Sequence, residues 1–220
     1  MFFRGVAIVG LLASLTTGAF AADLPVKARP ITPQVMNWTG FYGGIFGGYH
    51  DGDITQQGCT GLCAVNPRLT GGLFGLQAGY DYQFSDNVVI GAFALLPLVR
   101  PTTTINIGGP GLDFHVKPRF AAVLAGRLGM AFDRWLPYVL AGAGFANVEV
   151  HSDVTGVTPT NSYVGPVVGA GLEYALMQHV SVDFRYLYQS LPLKTYDFGG
   201  GAEQYGERSS NFLFSLNYRL

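Results

Sequence analysis

The sequence has few charged residues. Of its 220 residues, 13 are Lys or Arg and 14 are Asp or Glu, so that 12% are charged, against roughly a quarter in an ordinary soluble domain. The formal net charge of -1 leaves no broad basic surface for phosphate backbones, and we expect no nucleic-acid partner. Glycine and aromatic residues are abundant instead (31 Gly, 16 Phe, 12 Tyr and 2 Trp), which is typical of β-structure with close backbone approaches.

Long apolar runs are missing after residue 22. The longest uncharged apolar runs, residues 88–99 and 135–148, are shorter than the roughly 20 residues that a transmembrane helix needs. Runs of this length suit strands that cross a membrane.

The N-terminal residues 1–22 are predicted to be a cleaved signal peptide. A short basic start precedes an uncharged stretch that contains the small-x-small motif Ala19-Phe20-Ala21. A membrane anchor is the alternative, but Gly, Ser and Thr dilute the stretch. Residues 23–37 contain three prolines and no periodicity, which predicts an extended periplasmic linker before a single folded domain at residues 38–220.

The chain has only two cysteines, Cys59 and Cys63. In an exported protein an even number favours a disulfide, here a tight bridge, with two free thiols as the alternative. Glycine-rich residues 40–48 and 199–201 lack the Lys-Ser/Thr of a phosphate loop, so we expect no cofactor there. No metal site is predicted either, because the four histidines lack the spacing of metal ligands; they are His50, His115, His151 and His179.

Strict alternation of apolar and polar residues is the strongest pattern in the chain and predicts β-strands. At the C-terminus, the even positions of residues 212–220 hold Phe, Phe, Leu, Tyr and Leu, and four of the five odd positions from 211 to 219 are polar. Similar runs bring the number of candidate strands to eight. The segments between them alternate between long (50–70, 101–113, 152–161 and 190–208) and short (85–87, 133–136 and 177–179).

Eight strands joined alternately by long and short segments predict an all-β fold. We expect an eight-stranded antiparallel up-and-down transmembrane β-barrel, with long extracellular loops, short periplasmic turns and both termini in the periplasm. A soluble secreted barrel of the lipocalin type is the alternative, and it would turn the polar face to water. Such a face should be rich in Lys and Glu, whereas here it is mainly Gly, Ala, Ser, Asn and Gln with isolated charges.

The isolated charges of the polar face are predicted to pair inside the barrel. Three acidic and three basic residues form this expected network: Asp81, Arg119, Arg127, Glu173, Asp183 and Arg185. Because eight strands leave an interior that side chains just fill, we expect a plugged lumen. Aromatic residues near the periplasmic strand ends predict an interfacial girdle; they are Trp38, Tyr82, Trp135, Tyr138, Tyr174 and Tyr218.

Short motifs throughout the chain resemble those of one family. They are Asn37–Tyr42, Gly126–Gly129, Ala131–Tyr138, Gly169–Leu176 and Asn217–Arg219, together with Ala22–Lys27 after the signal. In combination they resemble the RopB-type small outer-membrane proteins of alphaproteobacteria, along essentially the whole mature chain. The resemblance implies an OmpA-like barrel in the outer membrane of a Gram-negative bacterium. For some relatives it also implies a link to envelope integrity, host interaction or haemin binding.

Three features depart from this family pattern. The chain ends in Leu220 where such barrels usually end in Phe, which bears on recognition of the C-terminal strand by the barrel-assembly machinery. Phe93 and Leu95 occupy positions where relatives tend to carry acidic groups, so we expect part of the lumen to be drier than usual. The cysteine pair is not a hallmark of the family.

The expected function is structural, with a role in surface interaction. Outer-membrane lipid is the expected partner of the apolar face, and the external loops 50–70 and 190–208 form the candidate contact surface. A narrow channel for small solutes is one alternative. Haemin binding through the loops is another, with the candidate residues His50, His115, His151 and Tyr196. No enzyme is predicted, because the neighbours His151 and Ser152 point to opposite faces of one strand and cannot form a nucleophile–base pair.

Overall fold

The computed structural model describes residues 36–57, 68–106, 113–153, 156–197 and 202–220. The predicted signal peptide, most of the predicted linker and both cysteines lie outside these residues. Within them the chain forms nine strands: β1 (Gly40–Gln57), β2 (Arg68–Gln83), β3 (Val88–Val99), β4 (Thr103–Asn106), β5 (Asp113–Met130), β6 (Trp135–Ser152), β7 (Thr160–Ala175), β8 (Val180–Asp197) and β9 (Ala202–Arg219). Among the described residues, no helix has the length and apolar character needed to cross a bilayer.

The strands close into one antiparallel barrel. Neighbouring strands pair in chain order, and β9 pairs with β1 to complete the ring. β3 and β4 both pair with β5, so together they fill a single position in the wall. The predicted eight-stranded antiparallel barrel is therefore confirmed. Where the strands pair, their backbone groups are satisfied without help from water, which a wall surrounded by lipid requires.

The two ends of the barrel differ in their connections. Tight turns at residues 84–87, 131–134 and 176–179 lie at the same end as the start of β1 and the end of β9, and we call this the turn end. The opposite end is the loop end. The hairpins there are longer than predicted, because the ladder between β8 and β9 continues to the pair Asp197↔Ala202.

The expected loops are correspondingly short. Much of the segment predicted as loop 50–70 belongs to β1 and β2, and most of 190–208 belongs to β8 and β9. The predicted segment 101–113 contains β4. Alternation fades in these parts because neither face needs to be uniformly apolar beyond the lipid, yet the backbone ladders continue.

The outer face of the wall is apolar. On β9 the outward side chains Phe212, Phe214, Leu216 and Tyr218 are all exposed, while the intervening Leu213, Ser215 and Asn217 are buried. The other strands repeat this arrangement, which is the reverse of a water-soluble barrel and is typical of a lipid-facing belt.

Barrel closure predicts resistance to mild detergent. Unheated protein should run faster on an SDS gel than boiled protein, because unfolding must break a closed ring of strand pairs. As a control, Leu213→Pro removes a backbone donor from the ladder of β9, and this variant should run at the boiled position without heating. Identical mobility of boiled and unboiled wild-type protein would contradict the closed barrel.

Candidate functional site in the barrel interior

The interior of the turn-end half contains a layer of buried charges. They come from β2, β5, β7, β8 and β9, where alternate residues of each strand face inward. Strand registration places Glu173 of β7 directly opposite Asp183 of β8. Two carboxylates at neighbouring positions require cations beside them, and arginines of β5, β8 and β9 supply these.

Arg127 forms the centre of the layer. Its Nε donates to Oδ1 of Asp81 at 2.8 Å and its Nη2 to Oδ2 of the same carboxylate at 2.5 Å. Its Nη1 donates to Oε2 of Glu173 at 2.8 Å. All three residues are at most 3% exposed. One planar guanidinium thus joins β2, β5 and β7 across the interior, with the two-pronged geometry that arginine offers to carboxylates.

Arg219 adds a second cation from the end of β9. Its Nη2 lies 2.9 Å from Oδ2 of Asp81 and 3.8 Å from Oε1 of Glu173. Its Nη1 donates to the carbonyl of Trp38 and to that of Gly40 at 3.4 Å. The last strand is therefore tied to the first by a side chain as well as by the backbone ladder.

Arg185 and Asp183 form the third ion pair. Nη2 of Arg185 donates to Oδ2 of Asp183 at 2.5 Å, and its Nε donates to the Tyr138 hydroxyl at 2.8 Å. That hydroxyl donates to Oδ1 of Asp183 at 2.7 Å. Tyr138 fits because its partner on the neighbouring strand β7 is Gly171, where a Cβ would collide with the tyrosine hydroxyl.

Neutral polar groups connect these ion pairs. Gln77 accepts from Nη1 of Arg185 at 3.4 Å and donates to Asn217. Asn217 in turn donates to Oε1 of Glu173 at 3.2 Å, and the Ser181 hydroxyl donates to the same oxygen at 2.5 Å. We call the three arginines and three carboxylates with these groups the interior network.

Aromatic rings complete the packing of the interior network. The Arg127 guanidinium lies 5.0 Å from the centres of the Tyr42 and Tyr138 rings. The guanidinium of Arg185 lies 4.4 Å from the Phe93 ring. Rings at this distance attract the cations and exclude water from them. With three positive and three negative groups, the layer is formally neutral, which offsets the cost of taking each charge out of water.

Five of the six charges proposed from the sequence lie in the interior network, and Arg119 does not. The Arg119 side chain is 66% exposed and pairs with Glu149 at 2.6 Å. A register shift between Pro118 and Phe120 reverses which residues of β5 face inward, so alternation counted from Arg127 fails there. Arg219 takes its place. The alternation of β9 contained this signal, since Arg219 shares the polar face with Asn217 and Ser215.

The predicted aromatic girdle is wrong for two residues. Trp38 is fully buried, with its backbone nitrogen bonded to Gln83 and its ring 5.4 Å from Arg219. Tyr138 faces inward in β6 and is 4% exposed. Four others lie near the turn end on the outside; Tyr82, Trp135 and Tyr218 are exposed, and Tyr174 packs against Trp135 with ring centres 4.4 Å apart. Met36 is also buried, so the packed unit begins before residue 38.

Two of the loop residues expected to be available for haemin are inside the barrel. His50 is bonded to Asn211 at 2.7 Å and to Glu207 at 2.9 Å, and Tyr196 is 1% exposed. His115 and His151 lie at the loop end, each within 3.3 Å of Asp153. Over the described residues, no group of three or more metal-binding side chains is arranged to hold an ion.

Removing one arginine should strongly destabilise the barrel. Arg127→Ala leaves Asp81 and Glu173 without their shared partner in a buried layer, and we expect a loss of about 3–5 kcal/mol in the free energy of unfolding. Arg134→Ala removes an exposed charge from the turn 131–134 and should change it by less than about 0.5 kcal/mol. Urea unfolding of both variants in lipid bilayers measures this difference, and equal stabilities would refute a structural role for the network.

Comparison with known proteins agrees with this architecture. The model of the outer membrane protein beta-barrel domain family matches residues 7–219. The chain is 28% identical over 210 residues to the 31 kDa outer-membrane immunogenic protein of Brucella melitensis, covering 86% of this chain and 87% of that protein. It is 28% identical over 177 residues to the 22 kDa outer membrane protein of Rhizobium leguminosarum, with 80% and 74% covered.

A solved structure shares the fold. The crystal structure of the outer membrane protein OprG from Pseudomonas aeruginosa matches with a TM-score of 0.52 at 13% identity, covering 84% of this chain and 99% of that chain. The family match extends over nearly the whole chain, and the relatives come from alphaproteobacteria, as the sequence motifs suggested. The chain belongs to the outer membrane protein beta-barrel domain family, among its small alphaproteobacterial outer-membrane proteins.

Proposed function

We propose that this protein is a non-conducting outer-membrane barrel with a structural and surface-interaction role. In this proposal the apolar belt anchors the barrel in lipid, the turn end and both termini face the periplasm, and the loop end faces the outside of the cell. Neither catalysis nor a bound cofactor is part of the role.

The observation that carries the proposal is the interior network. An eight-stranded barrel has an interior that side chains can fill, and here six charged side chains from five strands meet across it. Asp81, Glu173 and Asp183 have no exposed area, and each of the three arginines is 3% exposed. Ions crossing this layer would have to break several charge-assisted hydrogen bonds at once, which favours a plug over a narrow channel.

The loop end supports the surface-interaction part. There the wall continues past the apolar belt and carries polar and charged groups on its outside, such as Arg68, which lies 2.7 Å from Asp51 and 3.1 Å from Asp53. The Brucella relatives are named immunogenic outer-membrane proteins, and a surface position of the loop end in this protein would agree with that property.

Single-channel recording tests the proposal. Refolded wild-type protein in a planar bilayer should show no steady openings, because the network fills the cross-section. Glu173→Gln, which keeps the shape of the side chain, serves as the matched variant. Steady, reproducible openings of the wild type whose ion selectivity changes in Glu173→Gln would contradict the plug and support the channel.

A further inference from the structure

The barrel wall is interrupted between β3 and β5. Pairing of β3 with β5 ends at Leu95↔Val123, and pairing of β4 with β5 starts only at Thr103↔Val116. Residues 96–102 and 117–122, all of them described, have no ladder partner across this seam. Three prolines lie in the two segments (Pro97, Pro101 and Pro118), and none of them can donate a backbone hydrogen bond. We call this interruption the seam.

One side chain bridges the seam. The Arg100 guanidinium donates from Nη1 to the carbonyl of Pro97 at 2.9 Å and from Nη2 to the carbonyl of Arg119 at 2.7 Å. These carbonyls belong to opposite edges of the seam. Arg100 is anchored on its own segment by the first bond and crosses the seam with the second. Such a side-chain bond can break and re-form without moving a whole strand.

A cavity of about 100 Å³ lies behind the seam. Pro97, Arg100, Pro118 and Ala121 form its side toward the seam. The rest of the lining is mainly aliphatic and includes six leucines: Leu69, Leu73, Leu95, Leu187, Leu191 and Leu213. We call this cavity the leucine chamber.

Along the barrel axis, the leucine chamber lies between two other parts of the interior. Toward the turn end, its lining residues Leu95 and Leu187 come two positions after Phe93 and Arg185. Because the Phe93 ring packs on Arg185 of the interior network, the network and this ring lie below the chamber. Toward the loop end a cavity of about 40 Å³ shares Leu69 and Leu191 with it.

Three tyrosines line that smaller cavity. The Tyr163 hydroxyl donates to that of Tyr196 at 3.0 Å, and the rings of Tyr196 and Tyr205 meet edge to face at 5.6 Å. Tyr163 and Tyr196 are at most 5% exposed. Among the described residues around the leucine chamber, the seam is the part of the wall that lacks a backbone ladder.

The outside of the seam is largely apolar, although the exposed Lys117 and Arg119 also lie on its β5 edge. Leu96, Leu98, Val99 and Phe120 flank it and are 39–57% exposed. They continue the belt that contacts lipid, so a molecule dissolved in the hydrocarbon of the membrane meets the seam directly.

We propose that the leucine chamber binds small apolar molecules, of the size of benzene or a short hydrocarbon chain, which enter from the membrane through the seam with Arg100 as its latch. An apolar cavity of comparable size, about 150 Å³, stays dry and binds benzene in a well-studied engineered protein. The leucines offer such a ligand dispersion contacts on several sides. Four polar side chains also line the chamber: His50, Gln189, Glu207 and Asn211. Three of these interact with one another, since Nδ1 of His50 lies 2.7 Å from Oδ1 of Asn211 and its Nε2 lies 2.9 Å from Oε1 of Glu207.

Methyl NMR of the full protein in lipid nanodiscs tests binding, with benzene as the probe. The methyl signals of the six chamber leucines should shift saturably with benzene. Those of the lipid-facing Leu124, Leu128 and Leu216 should change only linearly, as the probe dissolves in lipid. Chamber leucines that do not shift, or that shift without saturation, would overturn the proposal.

Two matched variants test the location. Ala121→Phe fills the leucine chamber and should abolish the saturable shifts, whereas Ala141→Phe adds the same ring on the exposed outer face of β6 and should leave them unchanged. Saturable binding that survives in Ala121→Phe would place the ligand elsewhere and overturn the proposal.

The exchange rate of benzene tests the route. Arg100→Ala should raise it by about tenfold, because hydrogen bonds from a charged group hold the seam shut, and Arg134→Ala should leave it unchanged.

A disulfide between Pro97→Cys and Ala121→Cys, in a background with Cys59→Ser and Cys63→Ser, should slow exchange until a reductant is added. Exchange that is insensitive both to Arg100→Ala and to the disulfide would refute entry through the seam. None of these outcomes depends on the conductance of the barrel.

Discussion

The structure depends on one constraint: three arginines and three carboxylates share a layer from which water is excluded. No member can lose its partners without leaving an unpaired charge in a medium that solvates it poorly. The layer joins β2, β5, β7, β8 and β9, so each strand must keep its register for the charges to meet. Arg219 extends the constraint to closure, since it binds Asp81 and also the backbone at the start of β1.

The interior has two levels with different chemistry. The turn-end half is charged and filled, whereas the described part of the loop-end half is lined mainly by leucines and tyrosines. Phe93 and Leu95 mark the transition, since the ring of Phe93 covers Arg185 and Leu95 lines the leucine chamber. From the sequence, we expect these two residues to make part of the lumen drier, and both lie in the interior beside apolar surroundings. In the proposed orientation, the interior network fills the periplasmic half of the barrel. The leucine chamber lies beyond it, and the seam separates this chamber from the lipid.

Much of the architecture could be predicted because one side of each strand faces lipid. That requirement produces the alternation from which the strands and five of the six network charges were identified. The errors have local causes. A bulge beside Pro118 turned Arg119 outward, and Trp38 folds beneath the barrel end, where no strand periodicity exists to indicate its direction. Strand lengths at the loop end could not be predicted, because backbone hydrogen bonding continues there without an apolar pattern.

The central claim is that the buried charges stabilise one another, and a double-mutant cycle tests it most directly. Arg127→Met and Glu173→Gln preserve volume while removing charge, and unfolding of both single variants and the double variant is measured in bilayers. We predict that the double variant loses less stability than the sum of the single losses, with a coupling energy of about 2 kcal/mol or more. Additive losses, with a coupling energy near zero, would contradict the account.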